Sequence, residues 1–373
     1  MVDPSKFIDA LERSGVDFYA GVPDSLLKNF CARLADTMPA GKHIIAANEG
    51  NAVGLAAGHF LATGHLPMVY MQNSGLGNTV NPLLSLMDTK VYSLPVLLLI
   101  GWRGEPGKKD EPQHARQGEV TIDLLDAMRI PYIILSDDED EAIRQASETA
   151  LGCARESRPH AVVVRKGTFA DYKLTHRAGR DFPMSREEAL KIVAGRLPQD
   201  AVTVSTTGKL SRELFEFREA QDCGHGRDFL TVGSMGHASS IALGIALAQP
   251  ERPVYCLDGD GAALMHLGAM SNIGLSGAGN YTHIIFNNGA HESVGAQPTV
   301  ALDVDLPAVA SACGYRSAVR VDSEEELRKA LEADAECPRL IEICVAINSR
   351  SDLGRPTATP QQNRDDFMKF LSK

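Results

Sequence analysis

Val254-Tyr255-Cys256-Leu257-Asp258-Gly259-Asp260-Gly261-Ala262-Ala263 is an apolar run that turns through two glycines around an aspartate. Further on, Ile284-Ile285-Phe286-Asn287-Asn288-Gly289-Ala290 has the same form, an apolar run closing on polar residues and a glycine. Short runs of this kind read as buried strands. The interval from Gly261 to Asn287 has room for one helix and one strand. Both strand ends can then meet at the carboxyl edge of a parallel sheet, where α/β proteins bind ligands. The residue types indicate what that edge would hold. Asp260 and Asn288 are hard oxygen donors, suited to magnesium or calcium. One carboxylate with neutral oxygens leaves coordination positions for phosphate oxygens. Gly259 and Gly261 allow close backbone approach, and a helix starting near Ala262 would aim free N–H groups at an anion. A dinucleotide fingerprint would need glycine at position 264, where Leu264 stands, and a phosphate loop fails at Gly208-Lys209 because Thr203 and Leu210 occupy the required positions. Taken alone, Gly-Asp-Gly is also compatible with an ordinary strand–turn–helix. The spaced Asn-Asn weighs against that reading.

Outward from this segment, short apolar runs alternate with amphipathic stretches along most of the chain, the pattern of repeated β–α units and parallel sheets. In the first half the strands read as Asp17 to Ala20, Pro67 to Met71, Leu94 to Ile100, Tyr132 to Leu135 and Ala161 to Val164. Helical patterns run from Asn51 to Thr63, closed by Gly64, and from Glu139 to Glu156. Gly167 to Met184 is polar, includes Gly179 and Pro183, and breaks the rhythm, so it reads as interdomain. Ser185 with Glu188 then forms a capping-box signature. Val202 to Ser205, Val254 to Leu257, His283 to Phe286 and Leu340 to Val345 read as strands of the second half, with a final helix from Gln361 to Leu371. The expectation is an α/β protein of two parallel-sheet domains, residues 1–170 and 185–373, joined by a linker at 171–184, with no middle domain.

The composition is that of a soluble globular chain, 44% hydrophobic and 23% charged. The longest apolar stretch, Leu94 to Ile100, is far too short to span a bilayer. The N-terminus has neither the basic region nor the apolar core of a signal peptide, so a cytoplasmic location is expected. The formal net charge of −11 disfavours nucleic acid and anionic membrane as partners, without excluding a locally basic site for a small anion. The seven cysteines are scattered without C-x-x-C spacing, which reads as free thiols and not as a zinc or redox motif.

Gly259-Asp260-Gly261 with Asn287-Asn288 resembles the signature of the thiamin-diphosphate-dependent decarboxylases. The resemblance implies a pyrimidine-binding and a diphosphate-binding domain, with thiamin diphosphate and Mg2+ as cofactors. Asp260, Asn288 and the carbonyl of Ala290 would hold the metal. Glu49, in Ala47-Asn48-Glu49-Gly50, matches the glutamate that hydrogen-bonds the aminopyrimidine ring and so activates the cofactor. Alone, Glu49 would pass for an acid at a helix N-terminus. Its company with the metal motif favours the catalytic reading, and also argues against a non-catalytic cofactor-binding subunit. By the same resemblance the Gly233 carbonyl, Ser234 and Met235 would contact the cofactor, Met235 forcing it into a bent shape. Met is also a frequent core filler. Thr206 and Thr207, together with Gly259, Gly261, Ala262, His291 and Ser293, would line the diphosphate. Asn73, Ser74 and Asn78 stand where the family often has a Gly-Pro-Gly turn, here with Leu76 in place of proline.

Four further segments are similar to family members that act on three-carbon 2-oxo acids bearing an anion at carbon 3. They are Gly21-Val22-Pro23-Asp24-Ser25, Gly101-Trp102-Arg103-Gly104 continuing to His114, Ser205-Thr206-Thr207-Gly208-Lys209, and Ser349-Arg350 onward to Pro356. The implied reaction is non-oxidative decarboxylation of 3-phosphonopyruvate to phosphonoacetaldehyde and carbon dioxide. 3-Sulfopyruvate, a related 2-oxo acid or a carboligase reaction is the alternative. Sulfopyruvate-type relatives are commonly split into two subunits, so one fused chain favours the phosphonate. Arginine and lysine recognise such anions. Candidates are Arg103, Lys108, Lys109, Arg116, Arg350, Arg355 and, foremost, Lys209 and Arg212 beside the Thr-Thr-Gly segment. For most of them a solvated surface charge is the simpler reading. Asp24 and Ser25 would meet the substrate, and Ser25 and His114 would serve proton transfer. A lone histidine is as readily structural. The family shares its sites between chains, so a homodimer or larger homo-oligomer is expected.

Overall fold

A computed structural model describes residues 1–175 and 180–373. The chain forms two compact units, Met1–Arg177 with Val294–Gln297, and Ala178–Ser293 with Pro298–Lys373. Residues 176–179 of the expected linker, Gly179 among them, lie outside the described residues. Its remaining residues, 171–175 and 180–184, form neither helix nor strand.

The first unit carries a six-stranded parallel sheet in the order His43–Ile45, Val16–Gly21, Leu66–Gln72, Leu97–Gly101, His160–Val164, Tyr132–Ile134. Both faces are covered, which is why its central strands are continuous apolar runs and do not alternate with polar residues. Leu97 and Leu99 enter one core with Tyr19, Tyr70 and Val162, while Leu98 and Ile100 enter the other with Ala20, Met71 and Val163. The second unit repeats the plan in the order Ser317–Val321, Arg339–Cys344, Tyr281–Asn287, Val254–Gly259, Val202–Ser205, Asp228–Leu230. Ile284, Phe286 and Ile341 face one core, and Ile285, Cys256 and Leu340 the other.

The local signals act as their chemistry predicts. The helix Glu49–Thr63 starts behind Asn48, whose side chain accepts from Asn51 N–H, and ends at Gly64 with φ +73°. The helix Arg186–Arg196 has both halves of the Ser185–Glu188 capping box. The helix after Gly259 corrects the expectation. It spans Asp260–Met265, so it begins two residues before Ala262, because Gly259 is still extended. At six residues its dipole adds little. Five strands escaped the sequence reading: His43–Ile45, Asp228–Leu230 and Ser317–Val321, short strands in outer positions of the two six-stranded sheets, and the two-residue pair Ala290–His291 and Gln297–Pro298. Among the described residues no helix is long and apolar enough to cross a membrane, and all seven cysteines are free.

Candidate active site

In the second unit the carboxyl ends of Val254–Gly259 and Tyr281–Asn287 open on a pocket of about 90 Å³. Asp260, Asn288 and Ala290 line it together, with Gly259, Gly261, Ala262, Thr206, Thr207, Lys209, Met235, His291 and Ser293. Gly233, Ser234 and Arg212 are not among its lining residues. Ser234 sits beside it at φ +55°, and the Thr207 hydroxyl donates to Val232 O at 2.8 Å, tying this segment to the pocket wall.

The donors of this pocket fit a divalent cation and a diphosphate. Asp260 is 4% exposed and has no ion pair among the described residues. Its Oδ2 accepts from the Thr299 hydroxyl at 2.5 Å. Burial pushes its carboxyl up to about 6, against the hydrogen bond from Thr299. A buried carboxylate without a cation is costly to ionise, and a metal ion removes that penalty. The tandem asparagines divide their labour. Asn287 is structural: its Oδ1 accepts from Gly289 N–H at 3.0 Å and its amide donates to Glu342 at 2.6 Å. Asn288 accepts from Ala290 N–H at 3.1 Å through Oδ1, which retains a lone pair. Glycine is required at position 261, because a Cβ there would stand 2.6 Å from the His291 ring. Burial lowers the His291 imidazole to about 4, so it is neutral near pH 7.

Beneath the turn, Cys256, Asp258 and His283 place their ligand-type atoms within 4.8 Å of one another. His283 is already occupied on both ring nitrogens, by Asp258 at 3.4 Å and Tyr315 at 3.2 Å. Asp258 also accepts Gly259 N–H at 2.9 Å. This network holds the turn in shape.

Sequence reasoning missed Arg186 and Glu292. Arg186 lines the pocket and pairs bidentately with buried Glu213 at 2.8 and 2.7 Å, and with Glu292 at 2.6 Å. Lys209, also at the pocket, contacts the Ser349 hydroxyl and lies 3.8 Å from Glu292. Arg350 is committed to Glu187, Glu216 and Asp352, and Arg116 to Glu119.

In the first unit Glu49 is the first residue of its helix and 5% exposed. Asn78 donates to its Oε2 at 2.7 Å. Gly75 backs onto it so closely that a Cβ would meet Oε1 at 2.5 Å and Cγ at 2.6 Å. The loop at 73–78 thus shapes Glu49. Asn73, expected at the cofactor, makes its hydrogen bonds within its own unit. It is 2% exposed, donates to Arg103 O and Thr121 Oγ1, and accepts from Arg103 N–H. The Ser74 hydroxyl accepts from Gln72 at 2.6 Å.

Asp24, Ser25 and His114 gather around Arg103. Its Nη1 donates to Ser25 Oγ at 2.9 Å, while Nε and Nη2 bind Asp110. Ser25 Oγ lies 3.4 Å from Asp24 Oδ1. Burial pushes the Asp24 carboxyl up to about 6, opposed by the Leu26 N–H bond and the charge of Arg103. Burial first, and then Arg103, lower the His114 imidazole, whose buried Nδ1 has no hydrogen-bond partner among the described residues.

Residues 206–343 match the model of the thiamine pyrophosphate enzyme C-terminal TPP binding domain, and residues 5–130 that of the N-terminal TPP binding domain. The chain belongs to the thiamine pyrophosphate (thiamin diphosphate) enzyme family. It is similar to a phosphonopyruvate decarboxylase of Streptomyces viridochromogenes, at 36% identity over 100% of this chain and 96% of the relative. A phosphonopyruvate decarboxylase of Streptomyces hygroscopicus is 37% identical over 100% and 95% of the two chains. A sulfopyruvate decarboxylase of Methanosarcina acetivorans is 31% identical over 87% of this chain and 86% of its own length. That last alignment spans both halves in one chain, so a fused chain does not by itself separate phosphonate from sulfonate.

Proposed function

We propose that this protein is a thiamin-diphosphate-dependent carboxy-lyase that converts 3-phosphonopyruvate to phosphonoacetaldehyde and carbon dioxide. The observation that carries this reading is the pocket where Asp260, buried and without an ion pair among the described residues, stands with Asn288 and a cation-bearing wall of Arg186 and Lys209. The full-length similarity to two phosphonopyruvate decarboxylases supports the choice of substrate.

Asp260, Asn288 Oδ1 and the Ala290 carbonyl would hold Mg2+, an oxygen-only set that leaves positions for diphosphate oxygens. Thr206, Thr207, Gly261, Ala262, His291 and Ser293 would surround the diphosphate, and Gly233, Ser234 and Met235 the pyrimidine side. When bound, thiamin diphosphate supplies the electron sink for the bonding pair released with carbon dioxide. Glu49 would hold a proton toward the aminopyrimidine ring, with its carboxyl fixed by Asn78 at one oxygen and by Gly75 behind. Asp24, Ser25 and His114 would handle substrate and proton, with Arg103 fixing the Ser25 hydroxyl. Lys209 and Arg212 are the cations proposed for the phosphonate. The working assembly would be a homodimer or larger homo-oligomer in the cytoplasm, in which Glu49 of one chain serves the metal loop of another.

Incubation with thiamin diphosphate, Mg2+ and either 3-phosphonopyruvate or 3-sulfopyruvate tests the proposal, with carbon dioxide and aldehyde both followed. Faster turnover of the phosphonate is expected. Preference for the sulfonate would select the second reading, which the Methanosarcina relative supports. Carbon dioxide from neither would overturn both.

A further inference from the structure

The carboxylate of Glu292 joins the proposed metal loop to the cations of the pocket. Its Oε2 accepts from Arg186 Nη1 at 2.6 Å and from Asn288 Nδ2 at 3.1 Å. Its Oε1 accepts from the Ser349 hydroxyl at 2.5 Å and faces Lys209 Nζ at 3.8 Å. Arg186 is itself held from the other side by Glu213, which is 2% exposed, so the guanidinium anchors Glu292 from a fixed position.

This arrangement decides which end of the Asn288 amide is which. A carboxylate paired with Arg186 can only accept, so it demands the NH2 end. The Ala290 N–H can only donate, and it meets Oδ1 at 3.1 Å. Flipping the amide would set oxygen against carboxylate and NH2 against N–H, losing two hydrogen bonds and creating two repulsions. A hard cation needs the oxygen, and an amide free to rotate would offer it only part of the time.

We propose that Glu292 is a positioning residue for the divalent metal, fixing the Asn288 carboxamide with Oδ1 as the end offered to the cation. The proposal rests on reading Asn288 as a metal ligand. Groups that orient ligands in this way typically matter by about 10–100-fold in metal affinity.

Mn2+ is the probe, titrated into full-length protein with thiamin diphosphate and followed by the loss of the free-ion resonance signal. Glu292→Gln is expected to weaken Mn2+ by about 10–100-fold. Ser349→Ala, which removes another partner of Glu292 without touching the amide, should stay within about twofold. In an Asn288→Ala background, Glu292→Gln should add nothing, because its effect passes through that amide. Glu292→Asp keeps a charge near Arg186 but withdraws it from Asn288. It should show the same loss with native thermal unfolding, and it decides the matter if the glutamine variant does not fold. Wild-type affinity in both Glu292 variants would overturn the proposal, as would an equal loss in Ser349→Ala or additivity with Asn288→Ala. Failure of the wild type to bind Mn2+ would instead sink the metal reading of Asp260 and Asn288 beneath it.

Discussion

Buried acids in the first unit face amides and hydroxyls, whereas most of those in the second face guanidinium groups. Glu49 meets the Asn78 amide, and Asp24 meets Leu26 N–H and Ser25, while nearby Arg103 gives its charge to Asp110. In the second unit Glu213 pairs with Arg186, Asp228 with Arg218 and Glu342 with Arg320. Two buried acids depart from that rule: Asp258 faces the His283 ring and Gly259 N–H, and Asp260 is held by a threonine hydroxyl. The contrast separates two chemistries. Burial pushes the carboxyls of Asp24 and Asp260 upward, the direction that suits proton handling. The arginine-paired acids serve as scaffold. Asp260, which has no ion pair among the described residues, sits where a metal ion would complete the pattern.

Three substitutions bear on this contrast. The largest effect is expected from Glu49→Gln, which keeps the shape but cannot present the same proton. Turnover should fall by about 10²–10⁴-fold while metal-dependent retention of thiamin diphosphate survives. Steady-state kinetics beside equilibrium dialysis checks both halves, and intact turnover would remove Glu49 from the chemistry. Next comes Arg218→Ala. Both partners of the Arg218–Asp228 pair are almost fully buried, so the orphaned carboxylate should lower stability by about 3–5 kcal/mol. Urea denaturation followed by a probe in the second unit would show it. A loss under 1 kcal/mol, on the order of an exposed pair, would mean water reaches Asp228.

The smallest effect is the one that depends on pH. Asp24 ionises near 3.8 when unfolded and near 6 when folded, so the native state holds its proton longer. The associated stability is complete below about pH 4 and is lost as pH rises through 6. Asp24→Asn imitates the protonated form. Its stability relative to wild type should therefore climb by about 2–3 kcal/mol between pH 4 and pH 7. Paired denaturation curves at the two pH values measure this directly. A flat difference would mean that the nearby charge of Arg103 offsets the burial of Asp24 in full, and it would erase the contrast between the units.

Much of the fold was legible because its signals are local. Apolar runs bounded by glycine marked the central strands, and Ser185 with Glu188 marked a helix start to the residue. The outer strands were not legible. Ser317–Val321 is only partly buried, and Asp228–Leu230 opens on an acid whose partner lies on a neighbouring helix. Residue type and spacing brought Asp260 and Asn288 to one pocket, whereas Glu49 was singled out only by resemblance. Arg186 was not, since its meaning comes from Glu213 and Glu292, 27 and 106 positions away. The partners of Asn73 were equally out of reach of the sequence: its polar atoms are engaged by Arg103 and Thr121, 30 and 48 positions away.

The missing side chain at position 75 has a reach beyond its own loop. Because a single methyl there would collide with the carboxyl of Glu49, the tolerance of that position records where a different residue must stand. Gly77, two steps along, opens on empty space and carries no such record. In a population of drifting variants the first glycine is a lock whose key is another amino acid, and the second is free to wander.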